Sequence, residues 1–202
     1  MSERTLTISI GETHPSKITR VQHWTWAKTA AALTATPPVH EDKAARGWYC
    51  PVEFDPVYRD SDNFVARHAI TFDFDHVPVD TWDKVIEAWG GLNFAMYTTA
   101  SHTPEKPRFR VVMPLNRPCG YDEFQAVARK VAEDVGIELI ARESFVPCQM
   151  MYLPTVKPGK ESEFRVYVNE VDLEDDACYV DVDAILAEYE DWTKRVQWPK
   201  RR

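Results

Sequence analysis

The sequence predicts an α+β fold with a core in the β-α-β-β-α-β order of RRM and ferredoxin-like domains. Two observations carry this prediction. Residues 68–75 alternate like a half-buried strand and precede a short amphipathic helix, and residues 92–115 read as a hairpin followed by a second amphipathic helix. At 202 residues, the chain is long enough for one such core and an appended lobe.

Before this core, residues 1–66 predict an N-terminal α/β lobe packed on it. Residues 4–10 alternate like a strand, residues 21–34 are rich in alanine and predict a helix, and residues 46–54 predict a further strand.

The core itself begins with the strand at 68–75. Asp80 is predicted to cap a helix over residues 81–89, and Gly90 and Gly91 are predicted to end it. This strand and helix would form a βα unit.

The second half of the core starts with two strands, residues 92–99 and 108–115, joined by a turn. A helix is predicted over residues 121–135, with apolar residues at helical spacing. The apolar stretches 137–140 and 148–153 would supply at least one more strand.

The catalytic core is thus assigned to residues 67–170, and residues 171–202 to an acidic C-terminal helix and the start of a linker. An edge strand is predicted over 164–169 and a helix over 182–192. Residues 171–191 hold nine acids and no lysine or arginine, so the rest of a chain of net charge −8 carries +1. A local basic groove is compatible with that balance.

Composition and local sequence patterns indicate the cellular location expected for the protein. No stretch approaches the roughly 20 apolar residues of a membrane span, and the start lacks the features of a signal peptide. The four cysteines are far apart and form no C-x-x-C pair, so neither a zinc knuckle nor a disulfide framework is predicted. We expect a cytoplasmic protein, of a bacterium or a phage-infected cell, with free thiols and no membrane partner.

Two carboxylates end the first core strand. Ile70, Phe72 and Phe74 share one face of it, which turns Asp73 and Asp75 onto the other. Alternate strand residues on one face can converge on a hard cation that prefers oxygen ligands, so this pair predicts a site for Mg²⁺ or Mn²⁺.

Cationic and hydroxyl side chains follow at the hairpin. Ser101 and His102 lie in the turn, and Arg108 and Arg110 share a face of the next strand. Carboxylates for metal and cations for phosphate together indicate phosphoryl-transfer chemistry on a nucleotide.

These motifs resemble the archaeo-eukaryotic primase superfamily, and most of all the primase-polymerase domains of phage and plasmid replication proteins. The likeness rests on residues 72–75, on the turn 100–102 and on the segment 143–154. It implies a DNA primase and polymerase that acts on single-stranded DNA with nucleoside triphosphates, and a helicase that is fused to it or separate.

The resemblance also implies residue roles. Asp73 and Asp75 would hold two metal ions, Ser101 and His102 would contact the nucleotide phosphates, and the two arginines would neutralise the triphosphate. Composition adds Trp48, Tyr49 and Phe64 as candidates for base stacking.

One position departs from the family pattern, which places a third metal-binding acid where this chain has Ala141. A substitute such as Glu143 or Glu138, a naturally inactive protein, or a deliberately replaced aspartate would each account for it. Loss of one carboxylate is expected to weaken metal binding and to impair synthesis while nucleotide or DNA binding persists.

Two other function classes remain open. Residues 73–77 also fit the D-x-D-x-V signature of haloacid-dehalogenase-type phosphatases, which need a parallel, doubly wound sheet. A non-catalytic module that binds nucleotides or single-stranded DNA is the second, because Ala141 removes an acid. A rolling-circle nuclease is disfavoured, since no two histidines form an H-x-H pair.

Overall fold

The computed structural model describes residues 4–201, which form nine strands and four α-helices. The strands are β1 (Thr5–Gly11), β2 (Ile18–Thr25), β3 (Trp48–Cys50), β4 (Val52–Phe54), β5 (Phe64–Asp75), β6 (Phe94–Thr98), β7 (Arg108–Cys119), β8 (Met151–Tyr152) and β9 (Val166–Asn169). The helices are α1 (Trp26–Thr34), α2 (Thr81–Ala88), α3 (Tyr121–Glu133) and α4 (Val182–Ala187).

The strands form two sheets. One has four strands in the order β2-β1-β3-β8, and the other has five in the order β4-β5-β7-β6-β9. Neighbouring strands are antiparallel throughout. Because β7 lies antiparallel between them, β5 and β6 run in the same direction and α2 connects them, as the predicted βα unit requires. The α+β class is confirmed.

The five-stranded sheet is covered on both faces. Ile70, Phe72 and Phe74 of β5 belong to a core shared with α2, α3 and α4. The opposite face, with Ala69, packs against β1, α1 and the N-terminal lobe. This alternation is the one predicted from residues 68–75, and it sends Asp73 and Asp75 toward the space between the two sheets.

Of the two stretches predicted to supply the last core strand, 148–153 does contain a strand, β8, but neither stretch adds a strand to the five-stranded sheet. Ile137–Leu139 is a short 3₁₀ helix, and Ile140 makes only an isolated antiparallel bridge with Phe74. From 148–153, only β8 is extended, and it pairs with β3 in the other sheet. The place beside β5 is instead held by β4 at one end of the strand and by the Ile140 bridge at the other.

The N-terminal lobe also differs from expectation. The strand predicted over 4–10 is confirmed as β1, but the helix predicted over 21–34 is wrong for its first part, which forms β2. The helix starts later because the Thr25 hydroxyl caps it, accepting the N–H of Lys28 at 3.3 Å. The strand predicted over 46–54 is split at Pro51 into β3 and β4, one in each sheet.

The ends of α2 do not use the predicted caps. Asp80 has helical dihedral angles and makes no side-chain cap; its carboxylate pairs with Lys84 at 2.8 Å instead. Trp89 is the C-cap, and neither Gly90 nor Gly91 adopts a positive φ. The helix is therefore held in place by its buried face rather than by its ends.

The acidic C-terminal segment packs on the core. α4 is shorter than the predicted 182–192, and Val182, Leu186 and Trp198 are buried in the main core. Arg117 of β7 pairs with Asp183 at 2.6 Å, which neutralises part of the acidic charge. The predicted edge strand at 164–169 is confirmed as β9.

All four cysteines are buried with free thiols. Within residues 4–201, no helix has the length and apolar character needed to cross a bilayer.

Candidate functional site

A polar cavity of about 100 Å³ lies at the carboxylate end of β5, between the two sheets. Its walls come from β5, β7, the β6–β7 turn, the loop before β3, and the chain that follows β8. The lining residues are Lys43, Asp73, Phe74, Asp75, Tyr97, Thr99, Ala100, Ser101, Arg108, Arg110, Tyr152, Leu153, Pro154 and Thr155.

The carboxylates and arginines predicted from sequence face each other across two strands. In the β5–β7 register, Asp73 lies opposite Arg110 and Asp75 opposite Arg108. Arg110 Nε donates to Asp73 Oδ1 at 3.0 Å, and Arg108 Nε lies 2.7 Å from Asp75 Oδ1. The atoms of the second pair are close enough for an ion pair. They are not aligned for a hydrogen bond, so Arg108 Nε has no hydrogen-bond partner.

The two pairs differ in burial. Arg110 is 13% exposed and also donates to the carbonyl of Tyr152 at 2.8 Å. Burial opposes its charge, yet the neighbouring Tyr97 and Asp73 raise the pKa of Arg110 above its usual value. The Tyr97 hydroxyl, itself 2.8 Å from the Tyr49 hydroxyl, is buried beneath it. Arg110 is thus a fixed cation at the floor of the cavity.

Arg108 lies nearer the rim, where its guanidinium also contacts His76 Nε2. His76 directly follows the second carboxylate and adopts a positive φ of 56°. This left-handed residue ends β5 and turns the chain toward α2, which leaves Asp75 half exposed at the mouth of the cavity.

Ser101 lines the cavity, whereas His102 does not. His102 Nδ1 accepts the backbone N–H of Arg108 at 3.1 Å, and its ring lines two adjoining depressions together with Glu163. Burial lowers the pKa of His102, and Glu163 opposes that shift. A neutral ring with Nδ1 accepting carries its proton on Nε2, so His102 can donate there to a bound oxygen.

Lys43 is a cavity residue that the sequence prediction missed. It lies in the loop before β3, and its ammonium is 5.5 Å from the centre of the Tyr152 ring. No ion pair involves Lys43 in the part of the chain that the structure describes. Nothing in the local pattern marks it, because its loop reaches the carboxylates only through packing of the N-terminal lobe.

The chain around residue 141 lies directly beside Asp73. The Ala141 N–H donates to the Asp73 carbonyl at 2.8 Å, and the Asp73 N–H donates to Ser144 Oγ at 2.9 Å. Ile140 is paired with Phe74 on the helix-facing side, so residue 141 alternates onto the side of Asp73. The third-acid position inferred from the resemblance therefore adjoins the carboxylates.

The acids present fit one hard cation better than two. Asp73 and Asp75 supply carboxylate oxygens from the same face, which suits Mg²⁺ or Mn²⁺ with water completing the shell. Glu138 and Glu143 are exposed and do not line the cavity. Among residues 4–201, no group of three or more His, Cys, Asp or Glu side chains is placed to hold a metal ion.

The aromatic residues suggested for base stacking are mostly buried. Trp48 and Tyr49 are 0% and 2% exposed, and Phe64 is partly buried and packs edge-on against Tyr121. Their packing in the apolar clusters leaves little surface on which a base could stack.

The haloacid-dehalogenase alternative is wrong for this fold. That class needs β5 at the centre of a parallel sheet, but both neighbours of β5 are antiparallel to it. The D-x-D motif instead lies opposite Arg108 and Arg110 on the antiparallel strand β7.

Two of three comparisons with known proteins give a match. Residues 53–201 match the protein family described as the VapE N-terminal domain. Among solved structures, the fold resembles the AEP domain of the primase-polymerase of cyanophage S-2L, with a TM-score of 0.51, 12% sequence identity, and coverage of 92% of this chain and 89% of that one. A search of curated protein sequences gives no significant match.

Proposed function

Since this chain belongs to the family of VapE N-terminal domains, we propose that it is the primase-polymerase domain of a phage or plasmid replication protein. Its reaction would be template-directed nucleotidyl transfer on single-stranded DNA, with a fused or separate helicase as partner. The observation that carries this proposal is the cavity in which Asp73 and Asp75 oppose Arg110 and Arg108 on a primase-polymerase fold.

The cations of the cavity suit the triphosphate. Arg108 offers a planar guanidinium group to phosphate oxygens, Arg110 adds a fixed positive charge at the floor of the cavity, and Lys43 adds a third charge from the opposite lobe. The Ser101 hydroxyl and the Nε2 proton of His102 lie on the turn beside them and would bind further oxygens.

The carboxylates suit the metal-dependent part of the reaction. Asp73 and Asp75 would hold the divalent cation, which supplies charge neutralisation and activates the attacking hydroxyl when bound. The partly buried ion pair with Arg110 orients the Asp73 side chain, and hydrogen bonds with the Ala141 N–H and the Ser144 hydroxyl hold its backbone.

Incorporation of labelled nucleotides on single-stranded DNA, with Mg²⁺ or Mn²⁺, tests the proposal. We expect Ala141→Asp to raise the rate by at least about tenfold over the parent chain, because it adds an acid beside Asp73. Asp73→Asn in the Ala141→Asp background is the control and is expected to be silent.

Each outcome of this assay has a distinct meaning. Equal activity of parent and variant would show that an acid at residue 141 is not needed and that Asp73 and Asp75 suffice. Silence of both chains, with folding confirmed, would overturn the proposed synthesis.

A non-catalytic module that binds nucleotides or single-stranded DNA is the second candidate function. Ala141 favours it, because the cavity keeps three cations but only two carboxylates. Under this alternative, the chain binds labelled nucleotide while both the parent and the Ala141→Asp variant fail to incorporate it.

A further inference from the structure

A second cavity, of about 230 Å³, lies in the N-terminal lobe between the β1–β2 hairpin and α1. We call it the Trp24 groove and define it by Arg20, Gln22, Trp24, Arg46 and Leu153, which line it. Apart from Leu153, none of these residues belongs to the sequence motifs or lines the nucleotide cavity.

The groove has a polar and aromatic rim over an apolar floor. Arg20, Gln22 and Trp24 alternate along the edge strand β2 and therefore share one face. Their partners on β1 are Ile10, Ile8 and Leu6, all of which are buried. A face of this kind offers flat apolar contact with charges at its border.

The aromatic side chain of the groove is partly exposed and held in place. Trp24 Nε1 donates to Gln22 Oε1 at 3.1 Å, and the ammonium of Lys28 lies 5.1 Å from the ring centre. Most large aromatic side chains of this lobe, such as Trp26 and Trp48, are fully buried. Trp24 thus presents a rigid ring to a ligand at little further cost in entropy.

The charges that line the groove are positive. Arg20 is exposed, and its side chain makes no ion pair or hydrogen bond with residues 4–201. Arg46 donates to the Pro154 carbonyl at 2.8 Å, and no acid lines the groove. In a chain of net charge −8, this is a local cationic surface.

The groove adjoins the nucleotide cavity. Leu153 lines both, and Pro154, which Arg46 contacts, lines the nucleotide cavity as well. A single flexible strand can therefore occupy both sites at once.

We propose that the Trp24 groove binds a segment of single-stranded DNA, with a base stacked on Trp24 and backbone phosphates on Arg20 and Arg46. An aromatic ring can stack on any base, and cations beside it can contact the backbone phosphates, so such a site binds single strands with little dependence on base sequence. The assignment rests on the proposed function, because continuity with the nucleotide cavity makes the bound strand a template.

Fluorescence anisotropy of a labelled oligo(dT) of about 16 nucleotides tests the groove. Trp24→Leu keeps the apolar packing but removes the stacking ring, and we expect it to weaken binding roughly 5- to 100-fold. Arg20→Gln is expected to lower the slope of log affinity against log salt by about 0.7, the value for one lost phosphate contact on a single strand.

Lys84→Gln is the matched control. It also removes one exposed positive charge, but from α2 on the other side of the central sheet, and it is expected to change affinity less than twofold. Binding of a labelled deoxynucleotide with Mn²⁺ is expected to be the same in the parent chain, Trp24→Leu and Arg20→Gln.

The outcomes separate this inference from the proposed function. If the parent chain binds the oligonucleotide and both groove variants bind it as tightly as Lys84→Gln, the groove assignment is overturned while the function stands. Absence of oligonucleotide binding by the parent also overturns the groove assignment. If the parent chain and the Ala141→Asp variant also fail to incorporate nucleotides, the proposed function is overturned too.

Discussion

At the residue scale, Asp73 and Asp75 look equivalent in sequence but differ in their surroundings. Asp73 is 30% exposed and pairs with Arg110, which is 13% exposed, whereas Asp75 and Arg108 are 48% and 27% exposed. Solvent screens the outer pair. Removal of the acid of the inner pair would leave Arg110, a largely buried cation, without a carboxylate partner.

We therefore expect unequal effects on stability. Asp73→Asn is expected to lower the free energy of unfolding by about 2 kcal/mol, because Arg110 loses its carboxylate. Asp75→Asn is expected to cost less than about 0.5 kcal/mol. Urea unfolding of the two variants measures the difference, and equal losses would contradict the burial seen for the inner pair.

Arg67 is a second residue whose role depends on its surroundings. It is 0% exposed, and no carboxylate pairs with it in the described residues. Its donors reach the carbonyls of Ala69 and Pro147 and the hydroxyl of Thr71, and its guanidinium lies 4.3 Å from the centre of the Phe124 ring. It ties β5 to the segment that carries residues 141 and 144, and so helps to position Asp73.

At the scale of elements, β1 and β3 meet at a contact that only glycine permits. A Cβ on Gly11 would collide with the indole of Trp48, which is fully buried and donates to the His14 carbonyl at 3.0 Å. In the β1–β3 register, Gly11 is the last residue of β1 and lies opposite Trp48, the first residue of β3.

Gly11→Ala is therefore expected to destabilise the protein by about 2 kcal/mol through overpacking. Gly91→Ala is the matched control, since no atom lies within 4 Å of its added Cβ and its φ is not positive; its effect is expected to be close to zero or slightly stabilising. Thermal unfolding compares the two, and equal melting temperatures would contradict the predicted collision.

Local sequence patterns correctly predicted the helices and strands that bury one face. They failed for segments whose secondary structure depends on tertiary contacts. The amphipathic spacing of α3 and the alternation of β5 and β7 are strong periodic signals, and all three elements are confirmed. The helix predicted over 21–34 is wrong for residues 21–25: the alanine-rich part that follows them dominates the composition, while pairing of β2 with β1 makes them part of a strand.

At the scale of the whole molecule, the acidic C-terminal segment belongs to the main core. Trp198 is 6% exposed, its Nε1 donates to the Trp192 carbonyl at 2.6 Å, and Arg129 of α3 donates to the neighbouring Pro199 carbonyl. Through α4, the acidic segment thus packs against α3, and one of its acids, Asp176, pairs with Arg4 at the start of the N-terminal lobe at 2.6 Å.

Trp198→Ala is expected to lower the free energy of unfolding by about 3 kcal/mol, because it removes a buried aromatic side chain from the core. Val196→Ala, two residues away and 74% exposed, is the control and is expected to cost less than about 0.5 kcal/mol. Chemical denaturation of both variants measures the contrast, and a small effect of Trp198→Ala would mean that the segment is not part of the cooperative core.

By itself, the sequence determined the α+β class, the strand that carries Asp73 and Asp75, and the placing of Arg108 and Arg110 on one strand face, because periodicity fixes which residues share a face. Only the tertiary structure decided the register that sets each acid against one arginine, the approach of Lys43 and residue 141 to the cavity, and the separation of His102 from its lining. Those contacts join residues that are distant along the chain, and local patterns carry no information about which distant segments will pack together.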